Sequence, residues 1–376
     1  MPRLAEAHAL KDISLTASFR TDFTTVQLDD ISATVDQSRV TGFVHLATTP
    51  DTSVRYDLAI DKLDLDNYRL AEDTSAQDET RLPEFVRTAS LEGVLAIQSV
   101  AMSDKQYDNV HIASVIDNGI LKANPISMVV DQGEIRAALQ FDARKDPNTA
   151  LVAHLKNMDA DHAINPLLHD MLGNDSLVLE GRLNADVDLK ASGASVAALK
   201  TSVQGTITVS MDKATVRGVD FDHASRTVVL DYAKRNDFRV SRTFKTAYDA
   251  DSATEFSGLN ATFRVDRGKL HNNDLSMVSD PVNVTGSGSF DFLKGKLDYR
   301  PVIDMNVSNT ANIRDKLRDH PMQYHARGQS GKVTCEFDVD KFELWVGRLM
   351  IQEAKAHRNR RINSQSEDSW TNVLSN

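Results

Sequence analysis

The chain of 376 residues predicts a mainly β protein. The expected form is an elongated antiparallel sheet of repeated meanders, with a few short helices and a C-terminal amphipathic helix. Three observations carry this. Apolar and polar residues alternate over long stretches, the period of strands with one buried face. One such stretch recurs without a gap. Helical periodicity is confined to short segments framed by capping residues.

The clearest stretch runs from Ile126 to Asp161. Ile126, Met128 and Val130, then Ile135, Ala137, Leu139 and Phe141, then Leu151, Ala153 and Leu155 hold one phase. Gln132-Gly133 and the run from Lys145 to Asn148 supply turns between them. Ninety-five positions upstream, Ile31 to Asp66 repeats the pattern. Val35-Asp36-Gln37 falls on Val130-Asp131-Gln132, and Tyr56, Leu58 and Ile60 fall on Leu151, Ala153 and Leu155. A weaker third copy starts at Leu275, with Met277, Val284, Gly286, Gly288 and Phe290 in phase. Self-similarity of this kind marks a repeat architecture.

In chain order, residues 1–70 form the first meander, already in strand phase at Ile13, Leu15, Ala17 and Phe19. A chain that opens inside a repeating sheet reads as part of something longer. Residues 71–90 are an acidic, aperiodic linker followed by a short helix opened by Pro83. Residues 91–340 form the main β region. Within it, Pro166 and Gly173 frame a short helix. Leu177, Leu179, Gly181, Leu183, Ala185, Val187 and Leu189 then share one face. Unbroken to Gly193, that strand would span roughly 55 Å at about 3.3 Å per residue. Ordinary strands are far shorter, so either it bends at Gly181 or the sheet is unusually wide. Ser195 caps another short helix, and the longest helix is expected from Asp222 to Lys234. Residues 341–376 read as an amphipathic helix, with Phe342, Trp345, Val346, Leu349 and Met350 on one face, and a disordered tail. The helix is expected to cap the open end of the sheet.

Composition narrows the function. Hydrophobic residues make up 41% but aromatics only 6%, lean for a large filled core. The net charge of −11 argues against nonspecific nucleic-acid binding, which needs a basic footprint. A single cysteine, Cys335, excludes an internal disulfide framework and a cysteine-built zinc site. No run of eighteen apolar residues offers a membrane span, and residues 1–15 lack the apolar core of a signal peptide.

No catalytic constellation is present: no HExxH, GxSxG, Walker loop or paired cysteines. Residues 286–289, GSGS, sit in strand phase with no following helix or lysine. They suit close sheet packing rather than phosphate. Asp61, Asp64, Asp66, Asp159 and Asp161 could suggest calcium, which wants oxygens converging from a sharp loop. Here the acids alternate with apolar residues, as solvated strand faces do. His162 and His169 lack further ligands nearby and read as surface histidines. The expectation is a non-enzyme with no cofactor and no metal.

Between residues 83 and 220 the order of segments becomes distinctive. It runs helical turn, meander, short helix, strand, short helix, strand, and carries Leu177-x-x-Glu-Gly181, Lys190-Ala-Ser-Gly193, Leu199 with Gly205, and Gly218-Val-Asp220. Residues 286–292 (GSGSFDF) and 297–301 (LDYRP) continue it. The order resembles the C-terminal conserved region of the AsmA family of bacterial envelope proteins. The resemblance implies an inner-membrane anchor, absent from this chain, followed by an elongated, curled periplasmic β-groove. Such proteins look like bridges that carry phospholipid toward the outer membrane. The implied partners are phospholipid acyl chains, the envelope membranes and inner- or outer-membrane proteins, with no nucleic acid. The expected groove lining is Ile126, Met128, Ile135, Leu139, Phe141, Leu177, Leu179, Leu183, Val187 and Leu189. Leu183, between Gly181 and Ala185, is expected on the groove floor. The competing reading is a structural or chaperone-like factor for outer-membrane protein assembly that carries no lipid.

Overall fold

The computed structural model describes residues 12–48, 52–68, 90–103, 105–144, 147–173, 177–218, 253–280, 282–305 and 321–338, with parts of 340–358. The expected helices after Pro83 and from Asp222 to Lys234, and the C-terminal tail, lie outside these residues. Among the described residues no helix is long and apolar enough to cross a membrane.

The first copy comprises β1 (Ile13–Thr21), β2 (Thr25–Val35), β3 (Ser38–Ala47) and β4 (Ser53–Asp64). Next come β5 (Ser90–Met102), β6 (Lys105–Asp117), β7 (Ile120–Val130), β8 (Gly133–Asp142) and β9 (Asn148–Asp159). Two short helices, α1 (Ala160–Ala163) and α2 (Asn165–Leu172), precede β10 (Val178–Glu180) and β11 (Arg182–Ser192). Helix α3 (Val196–Ser202) leads to β12 (Gln204–Met211) and β13 (Ala214–Arg217). The last strands are β14 (Ala253–Phe256), β15 (Gly258–Asp266), β16 (Lys269–Val278), β17 (Val282–Asp291), β18 (Lys296–Met305), β19 (Met322–Gln329) and β20 (Lys332–Phe337).

Seventeen strands form one sheet, running β1 to β9, then β11, β12 and β15 to β20. Neighbours are antiparallel except β4 and β5, which are parallel. Parallel neighbours need a crossover that carries the chain back to its starting end, so these two strands are not joined by a hairpin.

The repeat holds in the hydrogen-bond register. Val40 pairs with Ile60 and Val44 with Tyr56; ninety-five positions on, Ile135 pairs with Leu155 and Leu139 with Leu151. Asp36 and Asp131 turn both hairpins with φ of 53° and 45°. Each copy also carries the same β-bulge. The register shifts between Leu28 and Ile31, between Ala123 and Ile126, and, 149 positions later, between Asn272 and Leu275. The third copy is therefore a full counterpart: Thr16 opposite Ser32 becomes His111 opposite Ser127 and Asn260 opposite Ser276. A bulge bends its strand and raises the local twist, so a bulge repeated at one height curls the sheet.

The long strand expected from Leu177 breaks at Gly181, whose φ of 130° suits glycine and not larger residues. Two neighbours break at the same level. β12 and β13 part at Asp212-Lys213, and β14 and β15 at Ser257. Strands β10, β13 and β14 then form a separate three-stranded sheet. The apolar run from Ile207 to Val216 thus serves two sheets. The small sheet joins α1 and α2 in closing one margin of the large one. Helix α2 reaches the β19–β20 turn, where the Gly331 N–H donates to the Met171 carbonyl at 3.1 Å. A methyl group at Gly173 would run into the Gly331 backbone.

The principal core lies under this plug. A row in direct register crosses it: Met158, Leu183, Met211, Leu259, Met277, Val284, Ile303 and Met322, all between 0% and 7% exposed. Phe342, from helical residues 340–345, enters the same core at 1% exposure, its ring 5.5 Å from that of Phe337.

Candidate functional site

The feature with functional content is the inner face of the large sheet. Directly paired residues share a face, so the register traces a row from strand to strand. One row runs Leu58, Leu95, Ile112, Ile126, Ala137, Ala153, Val187, Ile207 and Phe263, from β4 to β15. At about 4.8 Å per strand it is roughly 38 Å long. Its members are half-buried, apart from Ala153 at 8%. In the first copy the buried inner residues of β2–β4 are Ile31 at 7% and Ser38, opposite Val35, at 6%. On β1 the same face is open: Ile13, Leu15 and Phe19 are 63%, 59% and 62% exposed.

Among the described residues between β2 and β9, the charged side chain in inner phase is Lys105, opposite Met102 at the end of β6, and its Nζ donates to the His162 carbonyl of α1 at 3.0 Å, at the plug and away from the row. Tyr56 lies against Gly93, where a methyl group would meet its ring, and its hydroxyl is 2.7 Å from Ser114 Oγ. The ring thereby crosses the floor without standing up into the groove. Tyr299 does the same beyond Gly288 and Gly286, donating its hydroxyl to Asn272 Oδ1 at 2.6 Å. Burial pushes the Tyr299 hydroxyl well above its ordinary pKa, so it stays a donor. Asn272 pairs with Phe263, so the apolar row ends on this polar lock.

Histidine–carboxylate pairs lie on the outer face. His45 lies 2.8 Å from Asp29, His154 2.6 Å from Asp186, and His325 2.9 Å from Asp298. The His45 bond, then that of Arg20, holds the Asp29 carboxyl below its usual range, and His325 does the same for Asp298. Asp61 accepts from the Arg39 backbone N–H, and Asp159 caps α1 through the Asp161 N–H. Among the described residues no group of three or more His, Cys, Asp or Glu is placed to hold a metal.

The expected lining residues divide three ways. Ile126, Met128, Ile135, Leu139, Val187 and Leu189 lie half-buried on the inner face of the large sheet. Phe141 is 6% exposed and packs with Ile116 and Ala143. Leu177, Leu179 and Leu183 are in the plug core. Leu177 and Leu179 sit beyond the Gly181 break, with Leu179 on the small sheet opposite Val216. Leu183 is 1% exposed between Met158 and Met211, in filled space rather than on an open floor. The small neighbours Gly181 and Ala185 leave no gap there, because the Met211 side chain closes against Gly181. Leu58, Leu95, Ile112, Ile207 and Phe263 were absent from the expected lining. The repeat offset was the signal for the first, since it places Leu58 on Ala153.

A curled sheet whose apolar inner row stays partly open defines a β-groove protein. The chain belongs to the AsmA family, whose model matches residues 73–275. The match begins ahead of β5 and ends at Leu275, where the third copy resumes after its bulge. The first copy lies upstream of it yet keeps the register. No curated protein and no solved structure matches the chain.

Proposed function

We propose that this protein is a non-enzymatic periplasmic module that carries phospholipid between the inner and outer membranes and so supports outer-membrane biogenesis. Family membership is consistent with envelope biogenesis or lipid transport. The observation that carries the finer reading is the half-open apolar row from Leu58 to Phe263. Acyl chains laid on it gain about 0.8 kcal/mol per buried CH₂. Such contacts are nondirectional, so a chain slides without breaking specific bonds. A polar head group stays in water above the rim, because the row offers it no charged partner.

Val187 tests this better than Leu183, because it sits on the same strand but in the open row. A photoreactive residue at position 187 is exposed to vesicles of phosphatidylethanolamine and phosphatidylglycerol, and compared with one at Asp188 on the outer face. Phospholipid labelling is expected at 187 and not at 188. Val187→Asp should lower phospholipid transfer between vesicles at least tenfold while leaving the circular dichroism unchanged, since a charge beside acyl chains is strongly disfavoured. Equal labelling at both positions, or full transfer by a folded Val187→Asp protein, overturns lipid carriage. The filled core beneath the plug favours the alternative, an assembly factor that carries no lipid, and that reading would then lead.

A further inference from the structure

We propose that the outward side of the helix that follows β20 is a docking surface for a bilayer with anionic phospholipid head groups. This goes beyond lipid carriage and does not depend on it. Every described residue from 340 to 358 is helical. Two aromatics fix the rotation of that helix. Phe342 is 1% exposed in the plug core, and Trp345 packs against the same core, its ring stacked on that of Phe342 at 6.3 Å. The helix start is fastened to β19. The Asp338 N–H donates to the Gln323 carbonyl at 2.8 Å, and Lys341 Nζ donates to Gln323 Oε1 at 2.6 Å.

The side turned away from the core carries a stripe. Leu344, Arg348, Ile351, Lys355 and Arg358 recur at alternating steps of four and three, so they lie along one side of the helix. All five are exposed, Leu344 at 66% and Ile351 at 59%. At about 1.5 Å per residue the stripe is roughly 21 Å long. Asp340 and Glu343 lie at the helix start, and no described acid follows them in the helix. Most arginines of the sheets answer a carboxylate, as Arg20 does Asp29, Arg144 Asp142 and Arg327 Glu336. Among the described residues Arg348, Lys355 and Arg358 answer none. The chain as a whole carries −11, so this is a cationic patch on an acidic protein.

Cations alone would suit any acidic polymer. Leu344 and Ile351, set among them, point to a bilayer. Against a polyanion these aliphatic groups would stay in water and gain nothing. At a bilayer surface they enter the acyl boundary while the lysine and arginine stems reach back to the phosphate layer, as in interfacial helices. Each cation near an anionic membrane strengthens binding about fivefold. Because residues 338–342 tie the helix to β19 and β20, a bilayer under the stripe lies beside the last strands of the sheet.

The test floats the full chain on vesicles of phosphatidylcholine, with and without an equal part of phosphatidylglycerol. Flotation is expected only with phosphatidylglycerol and should weaken as salt is added. Replacing the three cations together (R348Q, K355Q and R358Q) should lower affinity at least about thirtyfold. Leu344→Ser with Ile351→Ser should lower it about tenfold. Both variants should keep the circular dichroism and melting temperature, since the altered side chains are exposed. In a Cys335→Ser background, an environment-sensitive dye on Ile351→Cys should shift to the blue on these vesicles, and one on Glu343→Cys should not. Flotation needs no lipid transfer, so docking and lipid carriage can fail separately. No flotation of the folded protein, equal flotation on both vesicles, or undiminished flotation of both variants overturns the proposal. So does retention on polyglutamate that the three-cation variant loses while the dye at 351 stays unshifted, since the stripe would then serve an acidic protein. A dimer that Leu344→Ser with Ile351→Ser dissociates, without flotation, would assign the stripe to a second copy and overturn it too.

Discussion

Asn165 stands in for a strand that is not there. It is 2% exposed, and its side-chain amide donates to the Leu179 carbonyl at 2.9 Å and accepts from the Leu179 N–H at 3.0 Å. That pins the start of α2 to β10 and seats the plug. Asn165→Ala would leave two buried backbone groups unpaired, which costs about 2–4 kcal/mol. A fall in denaturant midpoint with an unchanged m-value is the expected result. Asp142 is a surface counterpart. Its carboxyl is held down to about 2, first by the Arg144 side chain and then by the Arg144 backbone N–H. A folded pKa below the unfolded value contributes stability above about 3.8 that is lost as pH falls toward 2. Asp22, bonded by Thr24 and Thr25 and also lowered to about 2, acts in the same window. The melting temperature should therefore fall between pH 4 and 2, and Asp142→Asn should flatten part of that fall.

Among the elements, the bulge governs where the sequence looks regular. Inner residues are two apart within a strand but three apart across each bulge, as from Leu28 to Ile31. The alternation therefore restarts at Ile31, Ile126 and Leu275, which is where each copy announces itself in the sequence. The residues before each bulge, Leu28, Ala123 and Asn272, differ in chemistry, so the matching strands upstream (β1, β6 and β15) were hidden. Strand stability should follow position in the sheet. β11 and β12 are paired on both sides and packed under the plug, whereas among the described residues β1 pairs with β2 alone and its side chains are exposed. Amide exchange measured by mass spectrometry should be fastest in β1 and slowest in β11 and β12. Comparable protection in β1 would mean that its edge is already covered.

At the scale of the whole molecule, the apolar face has two fates. Beneath the plug it is a filled core, in which an unpaired carboxylate at Leu183 would oppose folding itself. Along the row through Val187 it stays half-open. The sequence determined the strand phase, the turn residues Asp36 and Asp131, the repeat, the capping of α3 by Ser195 and the family, because each rests on local pattern or on order along the chain. It also narrowed the long strand to a bend at Gly181 or a wide sheet. Only the tertiary structure decided which half of that strand lines a groove. Burial depends on what folds back over a residue, and the small sheet, α2 and Phe342 come from segments far apart in the chain. Leu183 and Val187 look alike in sequence, four residues apart on one face. They differ because the plug covers the first and stops short of the second.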